Sequence, residues 1–175
     1  MTDVYHLKIK IYCIKQNYEL AEKVLKKAET LFAENEKIKE DREYIRKIKQ
    51  VIYNKHLLDR KYDMLKETCD EDIRVNGPKN VAQSSYYYRA LSYRMLKDKK
   101  SNVYYSQACK FYNDFTGKTE VDLMPYLYKA LCYKDMKEYG KALRIVNNIL
   151  QQDCNNKEAL KIKISIIKQL KNRNI

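Results

Sequence analysis

Large apolar side chains recur along this chain at the spacing i, i+4, i+7. Tyr5, Ile9 and Tyr12 open the series, followed by Tyr44, Ile48 and Val51, by Tyr86, Ala90 and Tyr93, by Tyr126, Ala130 and Tyr133, and by Leu160, Ile164 and Ile167. Residues so spaced share one stripe of an α-helix, so each set predicts an amphipathic helix with a single buried line. The first members stand 39, 42, 40 and 34 residues apart. One stripe is ordinary amphipathicity, whereas a recurring interval of this size predicts an all-α solenoid of helix pairs, each pair burying its face against the next.

Partner helices fall between the stripes. Leu20, Ala21, Val24, Leu25 and Ala28 mark one, and Ala142, Val146 and Ile149 within 139–150 mark another, closed by the polar turn Asp153, Cys154, Asn155, Asn156. Less regular partners are expected over 60–68 and over 104–115, the latter with Ala108, Tyr112 and Phe115 on one face. Ala90 and Ala130 each sit between two tyrosines, where a methyl group lets the paired helix approach. The expected units are 2–35, 41–69, 83–118 and 123–156, about four pairs, with a closing helix over 157–172. A polar, initially acidic stretch at 70–82, containing Gly77 and Pro78, predicts a linker. Lys97 to Val103 predicts an inserted basic loop inside the third pair, and Pro125 suits the first turn of a helix, where its missing N–H has no bond to lose.

Composition changes this picture in three places. With 3 Gly and 2 Pro in 175 residues, a turn-rich β-fold or a disordered chain is disfavoured. The formal charge of +13 favours acidic partners or polyanions. Five Cys at irregular spacing and two His, His6 and His56, offer neither a disulfide framework nor a zinc site, so no metal or cofactor is expected. The opening residues carry no basic region followed by an apolar run. The apolar stretch around Ile164 to Ile167 is broken by Lys and Gln, so no membrane insertion is expected and the compartment is expected to be cytoplasmic, with the nucleus as the alternative. No HExxH, GxxxxGK, GxSxG or paired-carboxylate constellation is present, so catalysis is not expected.

The segment Tyr126 to Asn156 resembles a tetratricopeptide repeat. Tyr126, Ala130, Tyr133, Tyr139 and Ala142 occupy the large, small and aromatic places of that family, with Cys154 where its turn usually has Pro. Tyr5, Ile9, Tyr12, Tyr18, Ala21 and Ala28 match in the first unit, and Tyr86, Ala90 and Tyr93 in the third. The second departs, with Ile48 where a small residue belongs and Arg60 where Ala belongs. The resemblance implies a right-handed stack of antiparallel pairs acting as a non-enzymatic adaptor, with a concave groove lined by the first helices.

Residues flanking the stripes are the expected groove: Lys10 and Lys49 in the first two units, then Tyr87, Leu91, Arg94, Met124, Leu127, Leu131 and Lys134. Tyr, Leu and Met supply buried contact area while cations select an acidic ligand, so a peptide or helix with apolar anchors and acidic flanks is the expected partner. A two-carboxylate clamp of the kind some family members carry is not expected, because the Asn positions are missing and Leu127 and Leu131 stand where cations would be needed. The alternative is an RNA- or ribonucleoprotein-associated factor, with Lys97, Lys99, Lys100, Lys161 and Lys168 as candidate contacts to phosphate or to an acidic partner. Whether copies of the chain associate is left open.

Overall fold

A computed structural model describes residues 1–115 and 123–172, without the side chains of Lys79, Asn80 and Phe115. The expected place of Phe115 on its helix face and the end of the 83–118 unit lie outside the described residues. Among those residues there are nine α-helices and no strand: α1 (Thr2–Ile14), α2 (Tyr18–Leu31), α3 (Glu36–Leu58), α4 (Tyr62–Asn80), α5 (Ser85–Met95), α6 (Ser101–Phe115), α7 (Met124–Asp135), α8 (Tyr139–Gln152) and α9 (Lys157–Lys171). Among them, no helix is long and apolar enough to cross a membrane. The chain divides into two compact units, Met1–Lys55 and His56–Ile175.

In the first unit, Ile9 and Cys13 of α1 meet Ala21, Leu25 and Ala28 of α2 and Ile38 and Ile45 of α3 in one apolar cluster, flanked by Tyr5, Tyr12 and Phe32. Each large aliphatic residue withdrawn from water in this way contributes about 1.5–3 kcal/mol. The start of α2 is set by Asn17, whose side chain accepts from the Leu20 amide at 3.2 Å and satisfies one of the donors a helix start leaves open.

In the second unit each helix packs on the next, from α4 through α9, and α7 also touches both α5 and α9. Leu127 and Ala130 of α7, Tyr139, Ala142, Val146 and Ile149 of α8, and Ala159, Ile162 and Ile166 of α9 form an apolar cluster. Ala130 and Ala142 are fully buried, which is the close approach their size predicts. Asn156 starts α9 by accepting from the Ala159 amide at 3.0 Å.

One turn recurs four times. Gln16, Arg60, Lys97 and Lys137 are the only non-glycine residues with positive φ among the described residues, each just after a helix. The following amide then donates back to a carbonyl five residues earlier: Asn17 to Tyr12 at 2.9 Å, and Lys61 to His56, Asp98 to Tyr93 and Glu138 to Tyr133 at 2.8 Å. These bonds take up carbonyls that a helix end leaves without partners. The four turns join α1 to α2, α3 to α4, α5 to α6 and α7 to α8.

The turns correct the second stripe. Seven residues before the positive φ stand Ile9, Ala90 and Ala130 in three pairs, all fully buried, and Tyr53 in α3, which is fully buried too. The buried line of α3 runs through Ile38, Asp41, Ile45, Lys49 and Tyr53 instead of the expected Tyr44, Ile48 and Val51. Tyr44 and Val51 are 37% and 67% exposed. Helix α3 is 23 residues long and carries apolar residues on more than one face, while its buried line includes an acid and a lysine.

The expected linker at 70–82 is corrected as well, since α4 continues to Asn80 and breaks only at Gly77, with φ 63° and ψ 179°. That region is open essentially to glycine alone. The acids that read as loop-like make tertiary bonds instead. Asp70 accepts from the Tyr93 hydroxyl at 3.0 Å, and buried Asp72 accepts from the Asn76 amide at 2.8 Å, the Ala82 N–H at 3.4 Å and the Ser85 hydroxyl. The basic insertion shrinks to Leu96–Lys100, because α6 begins at Ser101. Asp98 orders it by accepting from the Lys100 amide at 2.8 Å.

Candidate functional site

The repeated turn puts the candidate residues of the second unit into columns. Tyr87 and Leu127 occupy equivalent places on α5 and α7, as do Leu91 and Leu131, and Arg94 and Lys134. On α9 the buried line Ala159, Ile162 and Ile166 corresponds to Pro125, Tyr128 and Cys132 of α7, also buried. That match sets Lys161, Ser165 and Lys168 in the three columns. Because α7 packs on both α5 and α9, the columns run across neighbouring helices.

Residues of the first column do not face a ligand on α5 or α7. Tyr87 and Leu127 are buried, which corrects their expected place in a groove: the first helices pack closely enough to cover them. Tyr87 lies among the rings of Tyr88, Tyr105 and Tyr128, with centroids 5.5, 6.4 and 5.8 Å away, and Leu127 belongs to the α7–α8–α9 cluster. Lys161, in the same column on α9, is exposed and pairs with Glu158 at 2.7 Å. In the second column Leu91 and Leu131 are half-buried, each keeping part of an apolar side chain in contact with solvent. The third column is cationic throughout: Arg94 and Lys168 are exposed, and Lys134 is partly so. Met124 is exposed at the start of α7, at the other end of that helix from Lys134.

Asp135 organises the base of this face. The hydroxyls of Tyr87 on α5 and Tyr105 on α6 both donate to its carboxylate at 3.2 Å. Lys134 Nζ lies 3.4 Å from the other carboxylate oxygen, and the Arg94 guanidinium donates to the Asp135 carbonyl. Burial, reinforced by the adjacent Asp135 charge, pushes both tyrosine hydroxyls well above their ordinary range, so they remain donors. Three side chains expected to contact a ligand thus converge on an acid that the sequence reading did not select. A signal was available: the places equivalent to Asp135 hold Ile14, Leu58 and Met95, and an acid in an apolar column is an acid with a partner.

The first-unit cations are also engaged internally. Lys49 is buried and forms an ion pair with Glu22, which corrects its expected availability to a ligand, since burial and pairing leave a carboxylate no approach. Lys10 lies 4.0 Å from the fully buried carboxylate of Asp41 and 3.8 Å above the Tyr44 ring. His6 Nδ1 is 3.0 Å from the same carboxylate. Burial pushes the Asp41 carboxyl up, and His6, followed by Lys10, pulls it part of the way back.

Lys97, Lys99 and Lys100 are exposed on the loop between α5 and α6. Among the described residues no group of three or more His, Cys, Asp or Glu side chains is placed to hold a metal ion. Cys13, Cys69, Cys109 and Cys132 are buried and Cys154 is exposed. On this face the second unit sets half-buried Leu91 and Leu131 beside Arg94 and Lys134, both of which contact Asp135. No family model, curated protein or solved structure matches the chain.

Proposed function

We propose that this chain is a non-enzymatic adaptor built as a right-handed solenoid of tetratricopeptide type, and that its second unit holds a peptide or helix with apolar anchors and acidic flanks across α5, α7 and α9. The observation that carries the reading is the cation column Arg94, Lys134 and Lys168 running beside Leu91 and Leu131 on successive first helices. Apolar anchors gain area on the leucines, while the cations favour a carboxylate on the same ligand and raise its encounter rate. The recurrent turn after α1, α3, α5 and α7, and the packing of α7 on both α5 and α9, support the repeat architecture.

The test is selection of peptides from a displayed library on the full chain, followed by affinity measurement on the winners. Acidic residues flanking Leu or Phe should be enriched. Leu131→Glu and the pair Lys134→Glu with Lys168→Glu should each weaken binding by about ten-fold or more. Winners without acidic bias, or affinities indifferent to both changes, defeat the reading. Tighter binding to a single-stranded RNA oligonucleotide that collapses between low and moderate salt and ignores Leu131→Glu would favour the phosphate-binding alternative through the Lys97–Lys100 loop.

A further inference from the structure

Helix α9 repeats the pattern of α7 on two faces but differs on what covers the second. On α7, Tyr126, Ala130 and Tyr133 form the line on which α8 packs, with Ala130 in the shared core and Lys141 of α8 lying 5.3 Å from the Tyr133 ring centre. The matching line on α9 is Leu160, Ile164 and Ile167, and these are 38%, 53% and 40% exposed. An aliphatic row of this kind, in the register at which α7 receives its partner helix, is an uncovered packing line.

The charges around it discriminate among occupants. Helix α9 carries five Lys and a single Glu. Exposed Lys157, Lys161 and Lys168 flank one side of the line at helical spacing, exposed Lys171 extends it by one turn, and half-buried Lys163 lies on the other side. Two copies meeting through this line would bring those lysines together, which disfavours self-association. A lipid surface would receive only a single row of three side chains, because the opposite side of α9 is buried through Ala159, Ile162 and Ile166. A helix with acidic residues on both edges satisfies the row and its borders together.

We propose that α9 is a docking helix for an acidic amphipathic helix of a partner protein, seated on Leu160, Ile164 and Ile167 in the place that α8 takes on α7. The apolar line is distinct from the Leu91–Leu131 face, with which it shares Lys168 at one edge, and does not depend on the reading of that face. Ile164 stands where α7 has Ala130, so the docked helix presents a small residue opposite it and larger aliphatic ones a turn to either side.

The probe is a fluorescein-labelled designed helix with Leu at i, i+3 and i+7, Ala at i+4 and Glu along both edges. It is titrated into the full chain beside its Lys-edged twin and a scrambled control. Specific binding of the Glu-edged helix alone is expected. It should weaken about ten-fold or more with Ile164→Ser and with Lys157→Glu plus Lys171→Glu, and be unchanged by Leu131→Glu, which separates this site from the one above. Methyl NMR guards against variants that fail to fold: in the native chain the Ile164 and Ile167 signals should shift while those of Ile162 and Ile166 stay. Equal binding of the scrambled helix, an effect of Leu131→Glu matching that of Ile164→Ser, or stationary Ile164 methyls overturns the proposal. So does concentration-dependent dimerisation lost with Ile164→Ser, or a preference for vesicles of anionic over neutral phospholipid that this change removes.

Discussion

The two units bury different residues at the same distance ahead of a left-handed turn. Seven residues before the positive φ, the first unit places Ile9 and Tyr53, whereas the second places Ala90 and Ala130. Their acids differ in parallel: fully buried Asp41 faces an imidazole and an ammonium group, while half-buried Asp135 accepts from two neutral tyrosine hydroxyls and has Lys134 beside it. One backbone device therefore accommodates large side chains or methyl groups at the same buried place. Each acid is matched to the donors its neighbours supply.

The sharpest way to break that contrast is to exchange the fillings. Ile9→Ala should leave a cavity in the first cluster and cost about 2–5 kcal/mol, whereas Ala130→Leu should overpack the α7–α8 pair at about 1–3 kcal/mol. Urea denaturation followed by tryptophan-free probes such as far-UV dichroism reads both. Equal and negligible losses would show that the column does not set the helix spacing.

Next in size is Asp135→Ala, which strands the Tyr87 and Tyr105 hydroxyls in a buried setting at about 1–3 kcal/mol each. Much of that loss should return when Tyr87→Phe and Tyr105→Phe are added, and a double-mutant cycle in denaturant measures it. No recovery would mean that the carboxylate is not the acceptor holding α5 and α6 to α7.

The smallest effect is read by pH at Asp41. Burial raises the folded pKa of Asp41 above its unfolded value, so the folded chain keeps that proton longer; the contribution favours folding in acid and is lost as pH rises through the folded value. Asp41→Asn removes the cost of burying the ionised form. The variant should melt higher than the native chain near neutral pH, with the gap closing as the solution approaches the ordinary carboxylate range. A gap that widens in acid would reverse the assignment.

Much of this architecture is legible before any coordinates. The stripes at Tyr5, Tyr86 and Tyr126 and the alanines at 90, 130 and 142 locate α1, α5, α7 and α8, because large and small residues at fixed helical spacing leave few other arrangements. Helix α3 defeated the same logic. Tyr44, Ile48 and Val51 satisfy the spacing, yet the line that is buried runs through Ile38, Asp41, Ile45, Lys49 and Tyr53, two of them charged residues that do not advertise burial. The acidic run at Asp70 read as loop because the hydroxyls that tie Asp70 and Asp72 into the fold lie outside the segment. Those hydroxyls, of Tyr93 and Ser85, come from the next helix. For the candidate site the columns were visible and the depth was not: Tyr87 and Lys49 look like surface residues until the distance between helices is known.

The four left-handed residues have a consequence for heat resistance. A side chain with a Cβ pays roughly 1–2 kcal/mol to sit in that backbone region, and glycine does not, although its greater freedom when unfolded takes back about half of the difference. Gln16, Arg60, Lys97 and Lys137 all carry that burden at exposed positions outside the apolar clusters. Placing glycine at the four sites would harden the chain in small, separable increments while leaving its apolar clusters as they are.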